Sequence, residues 1–297
     1  MSSWSQFIIP KTIDEALQAL ASAPGPARPV AGGTDLILEL QQGRPPAGQA
    51  LHTLVDVSNI DELRCLEVRD GELFIGAAVL VRDITNSSLI HKHALAVSEA
   101  CGLIGGPQVR NTATLGGNVA HSLPAADGTI GLVALGAQVE IASSQGRRLE
   151  PILAIFRGVG LSALALDREI LVGFHIPLRR PGQASAFGRV MRPQGVALPI
   201  INLAVWLQRG GERIEAIRIA VGPAGPTPQR ATVIEACLAG KPFNPETLDQ
   251  AKSLVDTSLR FRTSPQRATA AYRYHLCKVL LEEIISRAWE RALEVEK

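Results

Sequence analysis

Two short segments, Pro29-Val-Ala-Gly-Gly-Thr-Asp35 and Arg110-Asn-Thr-Ala-Thr-Leu-Gly-Gly-Asn118, set a glycine pair beside hydroxyl and amide side chains. Glycine lets a main chain approach a ligand closely and adopt dihedrals closed to other residues. In the first segment an apolar run, Pro29, Val30 and Ala31, enters Gly32-Gly33, and Thr34 and Asp35 open a helix. The first amides of a helix lack intrahelical acceptors and carry partial positive charge, so such a turn can cradle a phosphate. The second segment repeats this chemistry with Thr112, Thr114, Leu115, Gly116, Gly117 and Asn118. Two anion cradles suit a pyrophosphate. By itself, the first segment also fits a tight strand-to-helix turn with no ligand. Neither matches GxGxxG or GxxxxGK[ST], and no lysine stands beside either pair, which disfavours Rossmann, P-loop and triphosphate readings.

Elements around these segments can be read from local signals. Thr12-Ile-Asp-Glu15 has the form of a capping box and predicts a helix to about Ala21, broken by Pro24, Pro26 and Pro29. A short strand is expected over Arg28–Ala31 and a helix over Asp35–Gln42, ended by Gly43, Pro45 and Pro46. Leu51–Val57 reads as a buried strand. Leu66–Val68 and Leu73–Ala77 read as a hairpin turned at Asp70-Gly71. A helix over Leu89–Ala100 stops at Gly102. The stretch from Gly105 to Asp127 is rich in glycine and small polar residues, and a structureless run of that length implies a task. Asp127 is placed to cap a helix over Thr129–Leu135, closed by Gly136, and strands follow at Gln138–Ala142 and Glu169–Pro177.

Beyond Pro177 the texture changes, and Arg179-Arg-Pro-Gly182 reads as a joint between domains 1–177 and 178–297. Three strands are expected over Ala184–Val190, Asn202–Leu207 and Ile214–Val221. Three helices follow: Arg230–Ala239, one starting at Asn244-Pro245, and one from Ser264-Pro265 to the C-terminus. The fold class is therefore α+β.

Composition narrows the functional classes. The chain has 297 residues, 46% hydrophobic and 20% charged, with a formal net charge of +2. This is an ordinary globular composition, without the basic, aromatic-interleaved run of a nucleic-acid binder. Met1–Pro10 lacks a charged lead-in, and no apolar stretch approaches membrane-spanning length, so a soluble, cytoplasmic protein is expected. Cys65, Cys101, Cys237 and Cys277 are too scattered for a cluster or zinc site and read as reduced thiols. His91 and His93, without cysteine or carboxylate partners nearby, read as a surface helix rather than a metal site.

The two glycine segments, taken with Leu54-Val-Asp-Val57, Ile75-Gly-Ala-Ala78, Glu169-Ile-Leu171, Phe187 to Arg192, Ala224-Gly-Pro-Thr-Pro228 and Tyr272-Arg-Tyr-His275, resemble the FAD subunit of molybdenum hydroxylases. That family includes the medium chains of xanthine dehydrogenase and carbon monoxide dehydrogenase. The resemblance covers nearly the whole chain. It implies an FAD-binding domain of the p-cresol methylhydroxylase type, followed by a small three-strand, three-helix C-terminal domain. It also implies that Ala31–Asp35 and Thr114–Asn118 contact the pyrophosphate through amides and hydroxyls. Asp127 would bond the adenosine end, and Ile104 and Leu171 would line the flavin or adenine pocket. In many members a lysine or other long polar residue stands in the strand aligned with Ala186-Phe-Gly-Arg189. The matched position is Gly188, and Arg189 beside it is the candidate substitute, although neighbouring strand residues face opposite sides.

The resemblance further implies a division of labour. A large molybdopterin subunit carries the molybdenum cofactor, a small iron–sulfur subunit carries [2Fe-2S] clusters, and this chain relays electrons through FAD to an external acceptor. The assembly would be a heterotrimer or a dimer of heterotrimers. No general acid, base or metal ligand is assigned to this chain. Two alternatives stay open at this stage: a self-standing flavin oxidase of the same superfamily, and an assembly subunit without cofactor. The molybdenum-site substrate and the acceptor are not specified by this sequence.

Overall fold

The computed structural model describes residues 4–44, 48, 50–192 and 198–293. A small parallel sheet comes first, built from β1 (Gln6–Ile8), β2 (Ala27–Val30) and β3 (Thr53–Asp56) in the order β1-β3-β2. Helix α1 (Ile13–Ala21) crosses between β1 and β2. Its N-cap Thr12 accepts from the Glu15 amide at 3.1 Å, while the Glu15 carboxylate reaches the Lys11 amide at 2.7 Å. The reciprocal bond of the capping box thus lands one residue early. The α1 residues Ile13, Ala16, Ala19 and Leu20 are buried together with Val55, Phe74 and Val172. Helix α2 (Leu36–Gln41) follows β2 and ends before Gly43, whose φ of +67° glycine adopts without strain. The helix-ending role expected of Pro45 and Pro46 lies outside the described residues.

A five-stranded sheet forms the body of the first part. Its strands are β4 (Leu66–Arg69), β5 (Glu72–Gly76), β6 (Gln138–Ser143), β7 (Gly146–Pro151) and β10 (Glu169–Pro177), in the order β4-β5-β10-β6-β7. The β4–β5 turn falls at Asp70-Gly71, both with positive φ (51° and 80°), as a two-residue hairpin of this twist demands. Between the last two strands of this sheet lies a two-stranded ribbon, β8 (Phe156–Gly158) with β9 (Leu161–Ser162).

Helices fill the space between β5 and β6: α3 (Val81–Asn86), α4 (Ser88–His93), α5 (Leu95–Gly102), α6 (Pro107–Arg110), α7 (Leu115–Ala120) and α8 (Asp127–Leu135). The single helix expected over Leu89–Ala100 is in fact two, broken at the buried Ala94 (φ −142°, ψ 46°). The stretch from Gly105 to Asp127 carries two short helices rather than being structureless. Helix α8 is buried at every position and closes at Gly136 in the left-handed conformation, as expected. Its N-cap, however, is Ala126. Asp127 is the first helical residue and makes no cap bond, because its carboxylate is engaged elsewhere.

In the second part, β11 (Gln183–Met191), β12 (Pro199–Gly210) and β13 (Arg213–Gly222) form an antiparallel meander, edged by the two-residue β14 (Gln229–Arg230). Helices α9 (Thr232–Leu238), α10 (Pro245–Ser253), α11 (Val255–Ser258) and α12 (Ala270–Leu293) follow. Asn244 caps α10, accepting from the Thr247 amide at 2.9 Å. The last helix does not start at Ser264-Pro265. Ser264 instead closes a turn onto Ala268, and α12 begins at Ala270 after Thr269, whose hydroxyl accepts from the Tyr272 amide. Residues 294–297 lie outside the described residues.

The meander is covered on both faces, with its side chains alternating as a strand requires. Ala184, Ala186, Leu203, Val205 and Leu207 pack with α12 residues such as Leu280 and Ile284. On the other face Phe187, Ala204 and Ala220 join the core of the first part, with Val97, Ile130 and Leu132. The two parts therefore share one apolar core across this sheet. Among the described residues, no helix is long and apolar enough to cross a membrane.

Candidate functional site

A cleft of about 490 Å³ opens between the first part and the near face of the meander, a size ordinary for a ligand site. It gathers Pro29, Val30, Ala31, Gly32, Gly33, Thr34 and Asp35 from the first glycine segment, and Thr114, Gly116, Gly117 and Asn118 from the second. Ile104, Asp127, Leu171 and Arg189 also line it. Two expected site residues do not. Leu115 is fully buried in the core. Thr112 lies behind the wall, its carbonyl oxygen so close to Gly32 that a Cβ there would overlap it.

The first segment is built for an anion. Strand β2 delivers the chain to Gly32-Gly33, and Gly33 turns it with φ +65°. Among the described residues, the amides of residues 31–36 have no protein acceptor, and Asp35 makes no side-chain cap to α2. A run of open N–H groups beside the Thr34 hydroxyl is a set of donors awaiting acceptors. Both glycines serve the packing of this turn: a Cβ at Gly32 would overlap the Thr112 backbone, and one at Gly33 would press on Ile37 Cγ1 at 3.0 Å.

The second segment differs from expectation. Its amides are already engaged: Leu115 N–H with Val79 O at 3.2 Å, Gly116 N–H with Ala77 O at 2.9 Å, and Asn118 N–H with Thr114 O at 3.1 Å. The Gly117 amide donates to Thr114 Oγ1 at 3.0 Å. Among the described residues, only the Thr114 amide of this segment has no protein acceptor, so its contribution to the cleft is mainly through side chains, the Thr114 hydroxyl proton and the Asn118 amide group. Asn118 is oriented by its oxygen, which accepts from the Thr129 amide at 3.3 Å. Gly116 is needed for packing, since a Cβ would sit 2.5 Å from Ala77 O. Gly117 faces open space apart from Thr114 Oγ1.

Asp127 is the hinge of a buried polar network. One carboxylate oxygen accepts from Arg189 Nη1, and the other from Asn202 Nδ2 at 2.6 Å. Asn202 Nδ2 also donates to Ala125 O at 3.0 Å. The Asp127 and Arg189 side chains are 5% and 7% exposed. Burial pushes the Asp127 carboxyl above its ordinary pKa, and Arg189 and Asn202 pull against that shift. Arg189 Nε has no partner and faces the same interior. Strand alternation puts Ser185, Phe187 and Arg189 on the face toward the first part, where Arg189 lines the cleft, while Gly188 faces α12, where a Cβ would lie 2.5 Å from Ile284 Cδ1. The cleft-facing position of that strand is therefore Arg189; a long side chain at Gly188 would be driven into α12.

The second part supplies a wall that motif reading missed. Arg262, Ser264, Gln266, Arg267 and Arg273 line the cleft, with Leu198, Pro199 and Pro223. Tyr272-Arg-Tyr-His275 is noticeable in the sequence, but nothing in it tells that Arg273 is buried. Around the whole cleft stand the five arginines Arg28, Arg189, Arg262, Arg267 and Arg273 against Asp35 and Asp127. That excess of positive charge suits a ligand that brings negative charge.

Away from the cleft, the histidine pair is structural: His91 Nε2 lies 2.8 Å from Thr85 O, and His93 Nδ1 accepts from the Arg179 amide at 3.2 Å. All four cysteines are free, Cys101 and Cys277 buried and Cys65 and Cys237 partly so.

Comparison with known proteins gives matches along nearly the whole chain. Residues 3–179 match the FAD binding domain in molybdopterin dehydrogenase, and residues 185–288 match the CO dehydrogenase flavoprotein C-terminal domain. The chain is 32% identical over 279 residues to the xanthine dehydrogenase FAD-binding subunit of Escherichia coli O157:H7, covering 93% of each. It is 27% identical to the carbon monoxide dehydrogenase medium chain of Hydrogenophaga pseudoflava, covering 96% of this chain and 97% of that one. Among solved structures, carbon monoxide dehydrogenase from Hydrogenophaga pseudoflava superposes with a TM-score of 0.88 at 27% identity, over 97% of this chain and 98% of that one. Quinoline 2-oxidoreductase from Pseudomonas putida 86 does so at 0.87 and 27%, over 97% and 98%.

Proposed function

Because the chain belongs to the FAD-binding subunits of the molybdenum hydroxylase family of oxidoreductases, we propose that it takes electrons from iron–sulfur clusters of a small partner subunit and passes them to an external acceptor. The hydroxylation itself would occur on a large molybdopterin subunit, in a cytoplasmic heterotrimer or a dimer of heterotrimers. We further propose 177/178 as the division between the FAD-binding and C-terminal domains. FAD, when bound, supplies the reversible electron chemistry; the protein supplies binding, orientation and electrostatics.

The observation that carries this reading is the run of open amides at residues 31–36, facing a cleft with excess positive charge. These amides and the Thr34 hydroxyl hold the pyrophosphate, and Thr114 and Asn118 complete its shell from the facing segment. Gly33 supplies the turn, and Gly32 lets the two segments close on each other. Ile104 and Leu171 offer apolar surface to the rings. Asp127 acts at one remove, holding Arg189 at the wall. No side chain of this chain is assigned a proton-transfer role.

Gly117 is the place to test the pyrophosphate site, since a side chain there projects into the cleft and meets only Thr114 Oγ1, at 3.1 Å. Gly117→Val is expected to lower FAD content severalfold with an unchanged circular dichroism spectrum. Wild-type flavin content in that variant would refute the placement. For the assembly, affinity capture of the tagged chain from its native host should bring molybdenum and iron with it; a metal-free preparation would count against the relay.

A further inference from the structure

Arg273, on the first turn of α12, is 2% exposed. Its Nη1 donates to Ile200 O at 2.7 Å, while its Nε has no partner. Among the described residues, no carboxylate stands within ion-pair distance of it. Burial pulls its pKa down, and Arg267 and Arg262 add to that shift, yet a guanidinium remains protonated in proteins. An unpaired buried cation is costly, and the usual remedy is a counter-charge. Arg189, the other buried arginine of the cleft, already has one in Asp127. Arg273 has a cleft instead.

What it meets there follows from its neighbours. The open amides and hydroxyls suited to phosphate belong to the glycine segments of the first part. The wall around Arg273 mixes charge with hydrocarbon: Arg262 and Arg267 act on it, Pro199 adjoins the carbonyl it binds, and Leu198 and Pro223 also line the cleft. Hydrocarbon faces beside a cation suit a flat, polarisable ring better than a phosphate. A two-electron, one-proton reduction leaves one negative charge on a flavin ring, and a fixed cation beside the ring favours that form.

Building on the FAD reading above, we propose that Arg273, backed by the exposed Arg267, forms a cationic wall against the ring system of bound FAD and raises its reduction potential. The two arginines are thus tuning residues of the cofactor rather than anchors of its phosphates.

The test is a dithionite titration of the native complex under anaerobic conditions with redox mediators, followed at the flavin absorbance bands, with FAD content measured separately. Arg273→Gln is expected to retain FAD and to shift the two-electron equilibrium at least tenfold toward the oxidised form, about 30 mV by the two-electron conversion. Arg273→Lys, which keeps the charge, should show little of that shift. Arg267→Gln is at the surface and leaves the fold intact, so it decides the matter should Arg273→Gln not fold; it should move the equilibrium the same way by about threefold. An unchanged potential in Arg267→Gln, or in folded Arg273→Gln, overturns the proposal. So does a loss of FAD and of ADP binding in parallel, which would make Arg273 a phosphate ligand. Absence of FAD from the wild-type complex would instead refute the cofactor reading on which this rests.

Discussion

Removing Arg189 should expose how firmly the two parts of the chain are tied together. The Arg189–Asp127 pair joins β11 of the second part to α8 of the first, and both side chains are more than nine-tenths buried. Arg189→Met preserves most of the side-chain volume and leaves the Asp127 carboxylate with Asn202 alone. Breaking one partner of a buried pair costs about 3–5 kcal/mol, since a charge is left uncompensated. A double variant, Asp127→Leu with Arg189→Met, removes both charges and should recover about 1–3 kcal/mol of that loss. The deficit of the single variant should also depend on pH. Asp127 has a folded pKa above the ordinary 3.8, and losing Arg189 raises it further. A carboxyl that binds its proton more tightly when folded exerts no penalty below the unfolded value, and a growing one as pH rises through the folded value. The Arg189→Met deficit should therefore shrink as pH falls toward 4. Urea unfolding of the FAD-free chain from pH 4 to 8, followed by circular dichroism and tryptophan fluorescence, measures each quantity. A cost below about 1 kcal/mol at pH 7, the value of a solvated pair, would refute the claim that this contact is buried and uncompensated when broken.

Two further outcomes are expected. Arg147 holds the Glu62 carboxyl below its ordinary value of 4.5, so this pair contributes stability above that pH and loses it as pH falls through the folded value. Arg147→Gln should flatten the loss of urea resistance between pH 5 and 3, and an identical acid profile would contradict the pairing. Burial drives the Cys101 thiol up and pushes Cys277 up to about 12. A thiol reagent at pH 8 should therefore modify Cys65 and Cys237 while sparing the other two until urea is added; early labelling of Cys101 would show that α5 opens.

Local signals proved readable wherever a few neighbouring residues determine the outcome. Thr12 caps α1, Asp70-Gly71 turns a hairpin, Gly136 ends α8, and Glu169–Pro177 forms a strand over that same span. Distant packing explains the failures. Residues 89–100 carry good helix formers, and only tertiary contacts at the buried Ala94 dictate the break. Ser264-Pro265 has the form of a helix start, yet the chain uses it for a turn that lets Arg267 reach the cleft. In the site, both glycine segments are visible as motifs, but they look alike on paper and differ in space. Whether an amide is open depends on partners such as Ala77 and Val79, which lie far away in sequence. Arg273 was the least readable of all, because an arginine in a polar sequence gives no sign that a helix will bury it.

The position of β10 bears on how the chain can be made. It pairs with β5 on one side and β6 on the other, yet it leaves the ribosome after both. Until it emerges, the nascent chain holds two separate hairpins, β4–β5 and β6–β7, each with a bare hydrogen-bonding edge. Both glycine segments have been synthesised by then, without the sheet that will brace them. Completion of the meander, including Arg189, comes later still. Closure of the sheet behind the two glycine segments therefore waits for Glu169–Pro177, and the wall that carries Arg189 waits longer still.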